Sequence, residues 1–185
     1  MKLFLSLLFG SMVMAGAASV PQDMQMPAPE KEHVWLEQFV GEWEAEMEVI
    51  PGPGQPAMKG KATESCKALG KFWVHSDMKV DMPGIGMNMN GLMTIGYDPQ
   101  KKKYVGSWVD SVSSYMWRYE GTVDATGKIL TLEAEGPDMS NPGKMAKFRD
   151  VTEFKSKDEK LFTSSMQGAD GKWTTFMTSK VKRKK

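Results

Sequence analysis

Aromatic and acidic side chains alternate in this sequence at spacings that could line a small-molecule site. Because successive side chains of a β-strand point to opposite faces, Tyr104, Trp108 and Asp110 share one face of a strand. By the same rule Trp117 and Tyr119 share one face of the next. If both faces point inward, they form an aromatic wall with one acid, which is typical of a pocket for a small apolar molecule. The alternative is that these rings simply fill a core.

A carboxylate among small residues is the second candidate site. Glu64 alternates with Met58, Gly60, Ala62, Cys66 and Ala68, and small side chains inside a barrel leave room for a ligand. A buried carboxylate holds its proton more tightly unless it is paired, and Arg149 or Arg118 could be the partner. Alternation places each arginine opposite a bulky neighbour, so that pairing would need a bulge. We therefore predict Glu64 and Arg149 as ligand-binding residues, with a solvated Glu64 at a barrel mouth as the alternative.

Catalytic and metal sites are less well supported. Asp110-Ser111 with His75 and Asp77 suggests a hydrolase, but the sequence contains no Gly-x-Ser-x-Gly motif and alternation places His75 on a wet face. Haem or zinc would need an inward histidine, which the pattern does not provide. The sequence predicts no catalytic residue, metal ligand or cofactor. A barrel-based hydrolase or isomerase that uses Glu64 or Asp110 as acid or base remains an alternative.

Methionine is unusually frequent, with 17 residues in the chain. Several of them surround a Pro-Gly loop: Met78, Met82, Met87, Met89 and Met93. Thioethers bind Cu(I), so Met87 and Met89 together with Met24 and Met26 could form a copper site in an envelope protein. Flexible apolar packing, or an apolar mouth, is the interpretation that the spread of the other methionines favours.

The first residues have the layout of a secretory signal peptide. Lys2 precedes an apolar run from Leu3 to Met14 and a small-residue stretch, and we predict a signal peptide over residues 1–17. Removal of Lys2 leaves 23 basic and 23 acidic residues, a balance that predicts no nucleic-acid partner. No later apolar run is long enough to span a bilayer as a helix. The single cysteine, Cys66, is predicted to be small, buried and unreactive.

The rest of the chain predicts a flexible linker over residues 18–31 and one β domain over residues 32–185. One or two helical turns are expected within His33–Val40. Trp43, Ala45, Met47 and Val49 then alternate with glutamates, and about ten such segments follow, separated by turn signals such as Asp170-Gly171. We predict an all-β fold, an antiparallel up-and-down barrel of 8–10 strands, with Pro83–Asn90 and Pro137–Lys144 as lids.

Two resemblances agree with this fold. The segment Phe39-Val40-Gly41-Glu42-Trp43 resembles the opening of lipocalin-like, or calycin, barrels, in which a helical turn plugs one end. That resemblance implies a basic residue against Trp43, here Lys180, Lys182 or Arg183. A longer motif series is similar to the bacterial domain-of-unknown-function family 1579: Gly96-Tyr97-Asp98-Pro99, Tyr104 to Ser111, Gly121-Thr122 and Leu130 to Gly136. It implies a compact, frequently exported β domain with no established reaction.

These observations together predict a periplasmic or secreted lipocalin-like protein that binds a small, apolar or amphipathic molecule in its barrel. The expected ligand-binding residues are Glu64, Tyr104, Trp108, Asp110, Trp117, Tyr119 and Arg149.

Overall fold

The computed structural model describes residues 27–52, 54–138 and 141–185. The predicted signal peptide and most of the predicted linker lie outside these residues. The described chain begins with α1 (Lys31–Trp35), a 3-10 turn over Leu36–Phe39, and then strands, with a second 3-10 turn at Pro83–Ile85. The strands are β1 (Gly41–Val49), β2 (Met58–Leu69), β3 (Trp73–Met82), β4 (Met87–Asp98), β5 (Lys103–Asp110), β6 (Trp117–Val123), β7 (Ile129–Pro137), β8 (Met145–Ser156), β9 (Glu159–Gln167) and β10 (Trp173–Arg183).

The strands close into one barrel. Each strand pairs antiparallel with the next, and β1 pairs with β10 from Trp43–Arg183 to Val49–Met177, so the described strands have no free edge. Closure satisfies the backbone groups that an open sheet would present to other chains. The predicted up-and-down antiparallel barrel is therefore confirmed.

Charge pairing on the outer face accompanies the register of the first hairpin. Glu46 lies opposite Lys61, and Glu48 lies opposite Lys59. Trp43, Met47 and the buried Ala62 point inward from the same two strands. A slip of one residue would exchange these faces, so inner packing and outer charge specify the same pairing.

The helical segment plugs one end of the barrel, which we call the plugged end. Leu36 and Phe39 are buried against the barrel core. The Trp43 indole Nε1 donates to the Phe39 carbonyl at 2.7 Å, and the Arg183 guanidinium lies 4.0 Å from the Trp43 ring centre. Arg183 Nη1 also donates to the Val40 carbonyl at 2.6 Å. Arg183 is thus the basic partner of Trp43 among the three that the calycin resemblance suggested.

His33 joins the plug to the barrel. Its side chain is buried, Nδ1 accepts a hydrogen bond from the Glu30 N–H at 2.9 Å, and Nε2 lies 3.2 Å from the Tyr97 carbonyl oxygen. The ring also stacks edge-on against Phe72, with 5.1 Å between ring centres. These contacts give His33 a structural role in α1.

Two strand boundaries differ from those that the sequence suggested. β4 begins at Met87, because Met87–Asn90 pairs with the last residues of β3, so half of the predicted Pro83–Asn90 lid is strand. The alternation of Tyr115, Trp117 and Tyr119 suggested a strand from Ser114 to Gly121, but β6 begins at Trp117 and Tyr115 lies in the preceding loop. Pro83, Gly84 and Gly86 suggested a longer loop at this point, whereas only the four residues Pro83–Gly86 separate β3 from β4. The second predicted lid includes Met139 and Ser140, which lie outside the described residues, and it stays a prediction.

Candidate functional site

The interior of the barrel differs between its two ends. Near the plug, inward side chains such as Ile95, Leu130 and Phe154 are buried in one core cluster. Toward the opposite end, which we call the far end, many inward side chains are only partly buried. They include Met78, Met87, Met89, Met93, Trp108, Trp117 and Met177. Solvent therefore reaches inward side chains from the far end, which no helical segment covers among the described residues.

An aromatic wall forms where β4, β5 and β6 meet. Met93 pairs with Trp108, and Trp108 pairs with Trp117, so the three side chains are neighbours on the inner face. Each indole lies over a glycine of another strand: a Cβ at Gly91 would collide with the Trp108 ring, and one at Gly136 would collide with the Trp117 ring. The glycines therefore let the two rings lie along the barrel wall. Trp108 and Trp117 therefore both point into the barrel, which is the condition that an aromatic wall requires.

Asp110 anchors the Trp108 ring at the far end of β5. Its Oδ2 accepts the Trp108 Nε1–H at 2.9 Å, and its Oδ1 accepts the Val112 backbone N–H at 2.9 Å. Both oxygens are engaged with neighbours of their own hairpin. The side chain is partly exposed, so its remaining lone pairs can still accept a bond from a ligand.

A second inward carboxyl, Asp150, lies beside Tyr119. Ser164 Oγ donates to Asp150 Oδ1, and the Tyr119 hydroxyl bonds to the same carboxyl. Burial raises the pKa of the Asp150 carboxyl, and the two hydrogen bonds oppose that rise. Burial also raises the pKa of Tyr119, and the adjacent Asp150 raises it further. Tyr119 therefore stays protonated and can donate a hydrogen bond to Asp150. Burial favours the protonated form of the Asp150 carboxyl.

Glu64 points inward as predicted, but its partner is Lys160 from β9. Lys160 Nζ lies 2.8 Å from Glu64 Oε2, and the two side chains are only 5% and 12% exposed. Ser76 Oγ donates to the other carboxylate oxygen at 2.7 Å. The ammonium also lies 4.4 Å from the Trp43 ring centre. Both charges are therefore compensated inside the barrel, next to the plug.

Cys66 lies in the same region. Its thiol is buried, and burial raises the pKa of the thiol, with Ser76 opposing that rise through a hydrogen bond. A protonated, buried thiol is a poor nucleophile, in agreement with the predicted structural role.

Two other predicted residues lie away from the aromatic wall. Arg149 is on the outer face, where its Nη2 pairs with Glu133 Oε1 at 2.7 Å and its guanidinium lies 4.0 Å from the Trp173 ring centre. The pairing of Arg149 with Glu64 is therefore wrong, because β8 keeps its regular alternation at this position. Tyr104 is buried at the plugged end, stacks on Trp35 with 5.3 Å between centres, and bonds to the Glu32 carbonyl at 3.2 Å. Its surroundings are those of a packing residue.

Methionines form a cluster at the far end. Seven of them line or contact one core there: Met47, Met58, Met78, Met82, Met87, Met89 and Met177. Met87 and Met89 take part in this apolar packing, whereas Met24 and Met26 lie outside the described residues. Among the described residues no group of three His, Cys, Asp or Glu side chains is arranged to hold a metal ion. Unbranched thioethers can repack around a guest of irregular shape.

A closed antiparallel barrel with a helical plug and a Trp–Arg contact at the plugged end is a calycin-like fold. The family described as "Protein of unknown function (DUF1579)" matches residues 28–183, and the chain belongs to this family. None of the curated proteins compared with the chain matches its sequence.

Solved structures agree on the fold. The S-type phycobiliprotein lyase CPES from Guillardia theta is similar, with a TM-score of 0.53 at 13% identity, over 85% of this chain and 99% of that chain. Rv2717c from M. tuberculosis has a TM-score of 0.60 at 10% identity, over 85% of this chain and 100% of that chain. At such low identity these likenesses show the fold alone. Among the described residues, no helix has the length and apolar character that a membrane-spanning helix needs.

Two interior residues were missed by the sequence-based reasoning. Asp150 shares the alternating inner face of β8 with Phe148 and Phe154, so extending that alternation would have found it. Lys160 alternates in the same way with Ser164 on β9, but a lysine beside a turn reads as a surface residue.

Proposed function

We propose that this protein is an exported barrel that binds a small apolar or amphipathic molecule in the far-end half of its interior. The observation that carries the proposal is the partial exposure of the inward side chains Met93, Trp108 and Trp117 at this open end, whereas Leu36 and Phe39 of the plug are buried at the other end. Export is supported by the charged, apolar and small-residue order of the first residues.

The residues around this space suit an amphipathic guest. Met93, Trp108 and Trp117 offer an apolar wall, and the methionine cluster offers a second wall that can adapt its shape. Asp110, Asp150 and Tyr119 supply the few polar groups that would orient a ligand.

The first test is native mass spectrometry of the protein purified from the envelope of its own host. A released organic mass supports the proposal, and the mass of the polypeptide shows whether residues 1–17 are removed. A polypeptide that carries copper and no organic mass would instead support the metal-binding alternative.

The second test is titration with the neutral fluorophore N-phenyl-1-naphthylamine. Met93→Glu places a charge in the proposed site, whereas Leu92→Glu places it on the outer face of the same strand and is the matched control. We expect a loss of about tenfold or more in probe affinity for Met93→Glu and little change for Leu92→Glu, since the charge removes an apolar contact. Equal binding by both variants, or no binding by the unmodified protein, would contradict the proposal.

A second candidate function rests on Asp150. Its raised pKa and its contact with Tyr119 suit a general acid in a barrel-based hydrolase or isomerase. The test is turnover of any molecule released from the protein. A turnover that Asp150→Asn abolishes while Asp110→Asn keeps it would support this candidate, and release of the molecule unchanged would exclude it.

A further inference from the structure

We propose that the far end of the barrel docks on the surface of a lipid bilayer through uncharged loops that carry exposed apolar side chains. The loops are Ile50–Ala57 between β1 and β2, Pro83–Gly86 between β3 and β4, and Ser111–Met116 between β5 and β6. We call the four exposed side chains on them, Ile50, Ile85, Val112 and Met116, the apolar rim.

The apolar rim is strongly exposed. Ile50 is 46%, Ile85 51%, Val112 57% and Met116 52% exposed to solvent. Large aliphatic side chains occur singly on most surfaces, but these four sit at one end of the barrel on loops that follow one another around its mouth. Exposed apolar tips on three successive loops of one mouth make this end a candidate interaction surface.

The two ends of the barrel differ in charge. None of the three loops contains Asp, Glu, Lys or Arg, in a chain in which a quarter of all residues are charged. At the plugged end, each connection contains a charged residue: Lys71, Lys101, Asp124 and Asp158 lie in the four of them. The remaining far-end loops, after β7 and after β9, carry Asp138 and Asp170 on the other side of the mouth. The uncharged region is therefore a continuous arc.

A lipid surface is the partner that fits this arc. Protein interfaces combine an apolar centre with a polar, hydrogen-bonding rim, and partner choice is set largely by charge. The three loops offer apolar tips and carry no charge of their own, and the nearest exposed charges, Glu48, Lys59 and Asp81, lie on the strand ends that flank them. Shallow insertion of apolar tips into the headgroup region of a bilayer depends on the apolar area that is buried, and it does not need a charged partner.

The position of the arc also relates to the interior. Met82 and Met87, which flank the Pro83–Gly86 loop, belong to the methionine cluster inside the barrel. An apolar molecule that passed between this interior and a bilayer would meet little water if the rim were in contact with lipid. This exchange rests on the proposed function, whereas docking rests on the apolar rim alone.

The test is flotation of the full exported protein with phosphatidylcholine vesicles in a density gradient. Ile85→Asp with Val112→Asp alters the apolar rim. Val34→Asp with Leu69→Asp is the matched control, because these side chains are 54% and 59% exposed at the plugged end. The mass of each preparation is checked first, since a retained Leu3–Met14 run would itself bind lipid.

We expect the unmodified protein and the control to float equally, at low and at high salt, because no charge attraction is involved. The partition coefficient of the rim variant should fall about tenfold or more for each bilayer-inserted apolar side chain that is replaced by a charged one. Far-UV circular dichroism and urea unfolding show that the rim variant is folded, independently of any ligand.

Two outcomes would overturn the docking proposal: the unmodified protein does not float, or the control variant loses flotation as much as the rim variant does. If the unmodified protein does not float but forms a dimer, and only the rim substitutions dissociate that dimer, the apolar rim is a protein interface instead. Flotation by a protein that binds no fluorophore would leave docking intact and contradict the proposed function instead.

Discussion

The Lys160 ammonium lies 2.8 Å from the Glu64 carboxylate inside the barrel, and the pair joins strands β2 and β9. The two residues are 96 positions apart in the sequence. Ser76 and the Trp43 ring complete the surroundings of the pair. This geometry indicates a structural network beside the plug.

Removal of one charge from this pair should be strongly destabilising. We expect Lys160→Met or Glu64→Gln to lower the free energy of unfolding by about 3–5 kcal/mol, because each leaves an uncompensated buried charge. The double variant should lose less than the sum of the two. Urea unfolding at pH 7 measures all three, and the exposed pair Lys182–Glu159, with 3.8 Å between Nζ and Oε1, is the control. If Lys160→Met and Glu64→Gln lowered the free energy of unfolding no more than Lys182→Met and Glu159→Gln, the structural role of the buried pair would be contradicted.

The Trp43–Arg183 contact gives the second prediction. Arg183 lies over the Trp43 ring and donates to the carbonyls of Val40 and Lys157, so one side chain joins the plug, β10 and the β8–β9 turn. Lysine keeps the charge but cannot reproduce a planar group with several donors. We expect Arg183→Lys to lower the free energy of unfolding by about 1–3 kcal/mol. Lys182→Arg or Lys182→Gln, on the exposed neighbouring position, should change it little.

The glycine beneath Trp108 gives the third prediction. A methyl group at Gly91 would overlap the Trp108 ring, whereas one at Gly84 would meet nothing within 4 Å. Gly91→Ala should cost about 1–3 kcal/mol through overpacking, shift the tryptophan emission and weaken fluorophore binding. Gly84→Ala should leave all three properties close to those of the unmodified protein. Unchanged emission in Gly91→Ala would show that Trp108 does not lie on this glycine.

Alternation predicted much of the fold because the outer face is so polar. In β1, every second residue is a glutamate, and the intervening Trp43 and Met47 are buried, so strand, face and hairpin partner follow from local sequence. The same rule placed Trp108, Trp117 and Glu64 on the inner face. Turn residues marked most strand ends, and they misled where Pro83 and Gly84 form a loop short enough for β4 to start at once.

Pairings between distant strands could not be predicted in this way. Which cation meets Glu64 depends on the stagger of the closed barrel, which brings β9 and β2 across the interior, and no local pattern encodes it. Asp150 differs in this respect: the alternation of β8 places it on the inner face, and only its hydrogen bonds to Ser164 and Tyr119 depend on strands distant in the sequence.

Asp150 gives the last prediction, a dependence of stability on pH. Burial raises its pKa in the folded protein above the ordinary value of 3.8, so the folded state holds this proton more tightly than the unfolded chain. Between the unfolded and the folded pKa the unfolded state binds fewer protons, and the contribution of Asp150 to stability is therefore lost as pH rises through this window. Asp150→Asn has no such proton.

We therefore expect the free energy of unfolding of Asp150→Asn, minus that of the unmodified protein, to increase from pH 4 to pH 8. Urea unfolding of both proteins at each pH measures this difference. Glu133→Gln, an exposed carboxylate on β7, should show no comparable trend. A constant difference between Asp150→Asn and the unmodified protein across this range would mean that Asp150 titrates alike in both states.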